Sequence, residues 1–202
     1  KIGFDMSFTS ATKYFSGHSD AMGGSLAVNK KVFKKVMFFY KLSGYRMSAD
    51  EAYLIIRGLR TLDVRLKQHY ENTKVVINFL KKQKKIKEIL YPHNPSSKNY
   101  KLWKKYYSGA TGLLSIVLKS KKKSSVIKFV NSLELFGIGY SWGGFESLAI
   151  LQELRSSKKD EYLQGRKYYR FNKDEHIVRL HIGLEDPIDL IADLKKSLRY
   201  IR

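Results

Sequence analysis

The sequence predicts an α/β fold, and three of its features support this prediction. Strand-like and helix-like apolar segments alternate in the second half of the chain. Hydrophobic residues make up 43% of the 202 residues, close to the roughly 45–50% usual in globular domains, so the chain can bury a sizeable core. A long helical pattern separates the second half from a first part with strands of its own. Together these features indicate one or two domains.

The first part begins with two short strands and a connecting loop. Residues 2–9 and 25–28 have the apolar and β-friendly composition typical of strands. Because ligands bind where strands end in open α/β sheets, the loop between them is well placed for chemistry. Residues 30–42 mix lysines with aromatic side chains, which predicts a helix whose aromatic stripe lies in the core.

A capping box marks the start of a long helix. Ser48 is a suitable N-cap, and Glu51 follows three residues later. From residue 52 to residue 80, apolar residues recur at three- and four-residue steps, so one continuous helix is predicted. Gly58 lies inside this helix at a cost of about 1 kcal/mol relative to alanine. Its presence indicates that another backbone approaches the helix closely there.

The second half predicts a sheet covered by helices on one face. Residues 151–172 are highly charged without a clear period, so we expect a loop or a frayed helix there. A last helix begins with Asp186 as its N-cap and Pro187 at its first position. The strands are predicted at residues 86–90, 112–118 and 176–182, and the earlier helices at residues 98–107 and 124–135.

The composition excludes several kinds of protein. No apolar run approaches the roughly 20 residues that span a bilayer. Cysteine is absent, which rules out disulfides and thiolate metal sites and points to the cytoplasm. His18 has only Asp20 near it, so no metal site is predicted.

The formal net charge of +21 suits a nucleic-acid-binding protein. The lysines lie mostly at the ends of apolar segments and not along one stripe. We therefore interpret the charge as mainly compositional, and nucleic-acid binding is the alternative from another functional class.

One lysine stands apart from the basic runs. Lys13 lies among hydroxyl residues, with Ser10 and Thr12 just before it. A lysine among small donors is suited to attack a carbonyl, while neighbouring hydroxyls can hold a phosphate. By composition alone, a solvated loop rich in serine and threonine is the better supported interpretation.

Two further candidates lie in the second half. Residues 136–146 contain four glycines together with Tyr140, Trp142 and Phe145. Such a segment can let a backbone approach a ligand beside an aromatic wall, although a glycine-rich turn capping the core fits equally well. Arg179 lies opposite a wholly apolar row on its strand, where a fixed guanidinium can bind a carboxylate. An ordinary exposed arginine is the alternative.

Four segments together resemble one known family, the Cys/Met-metabolism (transsulfuration) family of pyridoxal-phosphate enzymes. In chain order they are SATKYFSGHSDAMGG, RGLRTL, FGIGYSWGGFESLA and VRLHIGLEDPIDLIADL. The resemblance implies the fold-type-I pyridoxal-phosphate-dependent transferase fold. Residues 1–60 would be the carboxy-terminal end of the large cofactor domain. Residues 61–202 would be the smaller carboxy-terminal α/β domain, entered through the long helix, with the boundary near Arg60.

The resemblance also implies a role for each candidate residue. Lys13 would bind pyridoxal 5'-phosphate covalently and then remove the α-proton of the substrate. The implied cofactor-binding residues are Lys13, Ser10 and Thr12, and the implied substrate-binding residues are Tyr140, Ser141, Trp142 and Arg179.

The segment SWGG indicates the reaction within the family, because the β-lyases carry it where the γ-lyases and γ-synthases usually carry SLGG. The resemblance therefore implies β-elimination of cystathionine to homocysteine, pyruvate and ammonia by an enzyme that is complete as a homodimer or homotetramer. A γ-synthase or γ-lyase is the alternative within the family.

The resemblance also implies that parts of the site are missing. In the family, the residues that hold the pyridine nitrogen, stack on the ring and cradle the phosphate all precede the lysine segment. Here only twelve residues precede Lys13. The chain therefore resembles the carboxy-terminal half of such an enzyme, and we expect weak cofactor binding and little or no lyase activity from it alone.

Overall fold

The structure is a computed structural model that describes residues 3–152 and 175–202. The chain divides into two compact units, the first comprising residues 1–65 with 143–145 and the second comprising residues 66–142 with 146–202. The sequence placed a domain boundary near Arg60, whereas this division falls at Arg65. Most of the predicted loop at residues 151–172 lies outside the described residues.

Two antiparallel strands and a helical turn form the start of the first unit. Strands β1 (Met6–Ser10) and β2 (Gly24–Val28) pair with each other alone, which confirms both predicted strands. They do not lie side by side in an open parallel sheet, so the expected position at the carboxyl edge of such a sheet is wrong. The predicted loop is also partly helical, because Ala11–Phe15 form one π-helical turn, here called the lysine turn.

Helix α1 (Lys30–Ser43) confirms the predicted helix but not its buried stripe. Asn29 caps its first turn, its side chain accepting a hydrogen bond from Val32 N at 3.3 Å. No residue of α1 is buried, and Phe38 is 71% exposed. The expectation fails because the buried core of the first unit consists of Ala11, Ala21 and Ile55, with no contribution from α1.

The long helix predicted from the capping box is in fact two helices, α2 (Ala49–Leu59) and α3 (Leu62–Leu80). The capping box itself is confirmed, because Ser48 Oγ accepts a hydrogen bond from Glu51 N at 3.2 Å. Helix α2 ends at Leu59, after which N–H groups bond three residues back, Arg60 N to Arg57 O and Thr61 N to Gly58 O. The apolar spacing runs through this break, so the pattern does not reveal it.

The second unit contains a five-stranded mixed sheet. Its strands are β3 (Ile86–Leu90), β4 (Leu113–Lys119), β5 (Gly137–Ile138), β6 (Leu148–Gln152) and β7 (Glu175–His181). Their order in the sheet is β3-β4-β7-β6-β5. All neighbours are antiparallel except β5 and β6, which are parallel. The three predicted strands are confirmed, whereas β5 and β6 were not predicted.

Three helices supply most of the helical side chains in the core of this unit: α3, α5 (Lys123–Asn131) and α6 (Pro187–Ser197). Helix α4 (Tyr100–Tyr106) is shorter than predicted, α5 (Lys123–Asn131) ends earlier than predicted, and α6 (Pro187–Ser197) begins where predicted. The side chain of Asp186 caps α6 by accepting a hydrogen bond from Ile188 N at 2.8 Å. Central apolar residues of β4 and β7 complete this core and are fully buried: Ile116, Leu118, Val178 and Leu180.

A cluster of aromatic rings surrounds His93 in the second unit. The ring centroid of Trp103 lies 4.2 Å from that of His93, and Tyr70 Oη lies 3.2 Å from His93 Nε2. Burial, with a smaller contribution from the charge of Lys74, lowers the pKa of His93 from its usual value of 6.5.

The lowered pKa of His93 makes stability depend on pH. The unfolded chain takes up the proton first as the pH falls through about 6.5. The contribution of His93 to stability is therefore present above that pH, and it is lost as the pH falls toward the lower pKa of the folded state. We expect His93→Gln to show a smaller loss of unfolding free energy than the parent between pH 8 and pH 5, measured by urea titration. Identical losses in the two proteins would contradict this expectation.

Candidate functional site

Lys13 lies at an irregular point of the lysine turn. Its backbone angles, φ −89° and ψ −121°, depart from helical values. Its carbonyl oxygen accepts a hydrogen bond from Gly17 N at 2.8 Å, and Ser16 N donates to Ala11 O at 2.9 Å. These bonds close the turn tightly on its carboxyl side, and the Lys13 side chain is half-buried.

The glycine-rich segment reaches the lysine turn within the first unit. Gly143 has a positive φ of 84°, and a Cβ built on it would lie 2.8 Å from Tyr14 N and 3.2 Å from Lys13 Cβ. A side chain at position 143 would therefore collide with the turn that carries the lysine. We predicted that the backbone of this segment could approach a ligand. In the structure, it approaches the backbone of the lysine turn.

The two hydroxyl residues near Lys13 differ in their hydrogen bonds. Thr12 Oγ1 donates to Gly23 O at 3.2 Å and accepts from Gly23 N at 2.9 Å. A phosphate contact through the Thr12 hydroxyl proton would require the bond to Gly23 O to break. Ser10 makes no side-chain hydrogen bond to the turn. Its hydroxyl is thus the more available of the two.

Gly58 and Arg65 hold the other side of the lysine turn. A Cβ on Gly58 would come within 3.0 Å of the carbonyl oxygens of Phe15 and Ser16, which confirms the predicted backbone approach at this glycine. Arg65 is 7% exposed and donates from Nη1 to Tyr14 O at 2.9 Å. Sequence reasoning missed Arg65. The sequence did contain a signal for a buried role of Arg65. This residue lies three positions after Leu62, on the apolar face of the helical pattern.

The four predicted substrate residues all belong to the second unit. Arg179 lies at the middle of β7, opposite Ser115 on one neighbouring strand and Ile150 on the other. Its guanidinium Nη2 donates to Tyr140 O. The guanidinium carbon lies 5.8 Å from the centre of the Tyr140 ring and 5.7 Å from the centre of the Trp142 ring. The structure thus brings Arg179 together with both aromatic residues, which follow β5 in the chain.

A second set of hydrogen bonds fixes the segment that returns from these aromatics to the sheet. Glu185 accepts from Ser147 N at 2.6 Å through Oε1 and from Ser147 Oγ at 2.8 Å through Oε2. Ser147 Oγ also accepts from Gly183 N at 2.8 Å. These bonds join the start of β6 to the chain just after β7, so they hold the start of β6 at the end of the strand that carries Arg179.

The candidate residues therefore form two groups. Lys13, Ser10 and Thr12 belong to the first unit, and Tyr140, Ser141, Trp142 and Arg179 belong to the second. Ser141 is exposed at the surface of its unit. The described residues contain no cluster of three or more His, Cys, Asp or Glu that could hold a metal ion. Among the helices in residues 3–152 and 175–202, none is both long and apolar enough to cross a membrane.

Comparison with known proteins gives consistent matches. A sequence model of the family described as Cys/Met metabolism PLP-dependent enzyme matches residues 1–199. The chain is 38% identical over 194 residues to cystathionine beta-lyase MetC of Escherichia coli K12, covering 96% of this chain and 48% of that protein. It is 34% identical to human cystathionine gamma-lyase, covering 98% of this chain and 48% of the human protein.

A solved structure also resembles this chain, again over about half of its own length. The crystal structure of cystathionine gamma synthase from Xanthomonas oryzae pv. oryzae, in complex with aminoacrylate and cysteine, superposes with a TM-score of 0.83 at 28% identity. The match covers 98% of this chain and 50% of that one. The chain thus spans about half the length of the curated relatives it matches. Because the family model covers nearly all 202 residues, this chain belongs to the Cys/Met metabolism family of pyridoxal-phosphate-dependent enzymes.

Proposed function

We propose that this chain provides the cofactor lysine and the substrate-carboxylate site of a carbon–sulfur lyase that cleaves cystathionine by β-elimination. The products would be homocysteine, pyruvate and ammonia. The observation that carries the proposal is the position of the Arg179 guanidinium, 5.7 Å from the Trp142 ring and 5.8 Å from the Tyr140 ring. This arrangement offers a planar cation with aromatic walls to a small amino acid. The 38% identity to a bacterial cystathionine beta-lyase supports the same reaction.

The residues of the first unit fit pyridoxal 5'-phosphate in part. Lys13 supplies an amine on a backbone held in place by the bonds of Ser16 and Gly17. Gly143 lets its backbone pack against this turn, where a Cβ would collide with Tyr14 N. Ser10 offers a hydroxyl to a phosphate, whereas the hydroxyl of Thr12 is already bonded to Gly23. We therefore assign the covalent link to Lys13 and the first phosphate contact to Ser10, with Thr12 joining after its bond to Gly23 O breaks.

Each residue would have a distinct part in the reaction. Pyridoxal phosphate, when bound, supplies the electron sink that makes the α-proton of an amino acid removable. Lys13 Nζ would take that proton as a general base. Arg179 would hold the substrate carboxylate, and fixing that end of the substrate restricts rotation about its Cα atom.

The aromatic rings would strengthen the ion pair between Arg179 and the carboxylate. Tyr140 and Trp142 cover part of the space around the guanidinium. Removing water from that space lowers the local dielectric constant and so increases the attraction between opposite charges. Ser141 lies between the two aromatic residues in the sequence and would add a hydroxyl donor to the same carboxylate.

A labelling experiment on the 202-residue chain tests the proposal. The chain is incubated with excess pyridoxal phosphate, reduced with borohydride, digested and examined by mass spectrometry. Reduction traps the cofactor on the lysine that binds it, so we expect the label to be concentrated on the peptide containing Lys13. Lys13→Ala should remove this label. Lys30→Ala, which changes an exposed lysine at the start of α1, should leave it unchanged.

The alternative outcomes of this experiment are equally informative. Label spread evenly over the exposed lysines would contradict a cofactor site at Lys13. If the chain is not labelled at Lys13 but binds DNA in a salt-sensitive manner, the nucleic-acid interpretation of its charge of +21 gains support.

The alternative within the family is a γ-lyase or γ-synthase, supported by the human relative and by the Xanthomonas structure. Product analysis of an active preparation separates the two reactions. Pyruvate supports β-elimination, whereas 2-oxobutyrate supports γ-elimination. We further propose that a complete enzyme assembles as a homodimer or homotetramer.

A further inference from the structure

A single side chain binds the backbone of the lysine turn directly after the lysine. Arg65, only 7% exposed, donates from Nη1 to Tyr14 O at 2.9 Å and from Nη2 to Phe15 O at 3.4 Å. These two carbonyl groups belong to the residues that follow Lys13. A guanidinium presents its donors in a rigid planar fork, so it fixes the relative position of the groups it binds.

The same guanidinium also binds the end of α2. Nη2 donates to Gly58 O at 2.7 Å, and Nε donates to Thr61 Oγ1 at 3.1 Å. Thr61 Oγ1 in turn donates to Gly58 O at 3.2 Å. One rigid group therefore ties the lysine turn to the point where α2 ends. Burial lowers the pKa of Arg65 from its usual value, but an arginine remains protonated near neutral pH.

Two glycines make room for this arrangement. A Cβ on Gly17 would come within 3.0 Å of the Arg65 guanidinium. A Cβ on Gly58 would come equally close to the carbonyl oxygens of Phe15 and Ser16. Side chains at these two positions would thus displace either the guanidinium or the turn it binds. The absence of side chains at these two glycines therefore leaves room for the contacts between Arg65 and the lysine turn.

We propose that Arg65 is a positioning residue for Lys13, a role that rests on the proposed function. The direction of the Lys13 side chain depends on the orientation of the peptide groups around it. Lys13 departs from helical angles at ψ −121°, and the backbone bonds of Ser16 and Gly17 fix the carbonyl groups of Ala11 and Lys13. Arg65 adds bonds to the carbonyl groups of Tyr14 and Phe15, and together these bonds hold the lysine amine within the ~0.5 Å that a reactive group requires.

Two variants and a matched control test this role. Arg65→Gln removes the charge and the fork, and Arg65→Lys keeps the charge but loses the fork. Arg57→Gln changes an exposed arginine in the last turn of α2 and serves as the control. Two quantities are measured, the share of the total borohydride-trapped label found on Lys13 and the hydrogen-exchange protection of the amides of Ser16 and Gly17.

If Arg65 positions Lys13, Arg65→Gln should reduce the Lys13 share of the label about tenfold, since misplacing a reacting group by about 1 Å costs one to two orders of magnitude. The exchange protection of the two amides should fall in parallel. Label on the other lysines and the circular dichroism spectrum should not change, which separates positioning from general unfolding. Arg65→Lys should recover only part of the labelling, and Arg57→Gln should match the parent.

Other results would overturn the proposal. Parental labelling of Lys13 in Arg65→Gln would do so. If Arg65→Gln does not fold, Arg65→Lys decides: parental labelling by a folded Arg65→Lys would show that the fork is dispensable. If the parent itself is not labelled at Lys13, the proposed function fails, but hydrogen exchange still decides the inference. Unchanged protection of Ser16 and Gly17 in Arg65→Gln would then refute it, and lost protection would support it.

Discussion

Gly58→Ala is expected to destabilise the contact between α2 and the lysine turn by about 2 kcal/mol net. A Cβ at this position would come within 3.0 Å of the carbonyl oxygens of Phe15 and Ser16. The colliding atoms are backbone, and Arg65 holds the carbonyl of Phe15 in place, so the turn cannot move aside cheaply. In a helix, alanine is more favourable than glycine by about 1 kcal/mol. The net effect is destabilising because the steric cost of the Cβ exceeds this difference.

Hydrogen exchange of the peptides covering residues 11–17 and 49–59 measures this effect. Both should lose protection in Gly58→Ala, because opening of either element breaks the same contact. Gly109→Ala is the control, since a Cβ on Gly109 would meet no atom within 4 Å. We also expect less Lys13 labelling in Gly58→Ala. Equal protection in Gly58→Ala and the parent would show that the contact between α2 and the turn is looser than the geometry indicates.

Phe129→Ala is expected to lower the free energy of unfolding of the second unit by about 3–5 kcal/mol. Among the residues that the structure describes, Phe129 has the largest fully buried side chain, with 0% exposure, and it lies in the core with Val126 and Val130. Removing the ring loses the free energy of its burial and leaves a cavity lined by well-packed neighbours. The extent to which the neighbouring side chains close that cavity determines where in this range the loss of unfolding free energy falls.

Tryptophan fluorescence during urea unfolding measures the loss in the relevant unit. The chain has two tryptophans, Trp103 and Trp142, and both belong to the second unit. Phe38→Ala is the matched control, because Phe38 is 71% exposed on α1, and exposed positions usually change stability by less than about 0.5 kcal/mol. Similar losses for the two substitutions would contradict the core described here.

Local patterns predicted most of the secondary structure of the second unit. Residues 176–182 alternate, and the structure buries Val178 and Leu180 completely on one face of β7, with Ile182 fully buried directly after it. Both helix starts with recognisable caps, at Ser48 and Asp186, are confirmed. These predictions succeeded because the responsible interactions join residues only a few positions apart.

The errors arose where apolar spacing was the only signal used. The helical spacing of residues 52–80 continues through Arg60, but three-residue hydrogen bonds end α2 there and the guanidinium of Arg65 binds the carbonyl of Gly58. The aromatic stripe of α1 resembles a buried face, yet no residue of α1 is buried. Spacing shows that a helix has an apolar side but not whether another element covers it.

For the candidate site as well, some features could be predicted from the sequence and others only from the structure. Residue types and motifs singled out Lys13 and Arg179, and the family match implies pyridoxal phosphate as the cofactor. The sequence could not show that Thr12 bonds Gly23, that Gly143 contacts the lysine turn, or that Arg65 holds it. Those facts depend on residues brought together from 11 to 130 positions apart.

The sequence by itself determined the α/β class, the capped helix starts and the family, because each is written in short stretches whose residues interact locally or match a motif. Only the tertiary structure decided how the lysine turn is held, where the long helix breaks and which side chains surround Arg179. The reason is physical. A hydrogen bond or a steric contact depends on the distance between atoms in space, and chain position alone does not give that distance for residues far apart in the sequence.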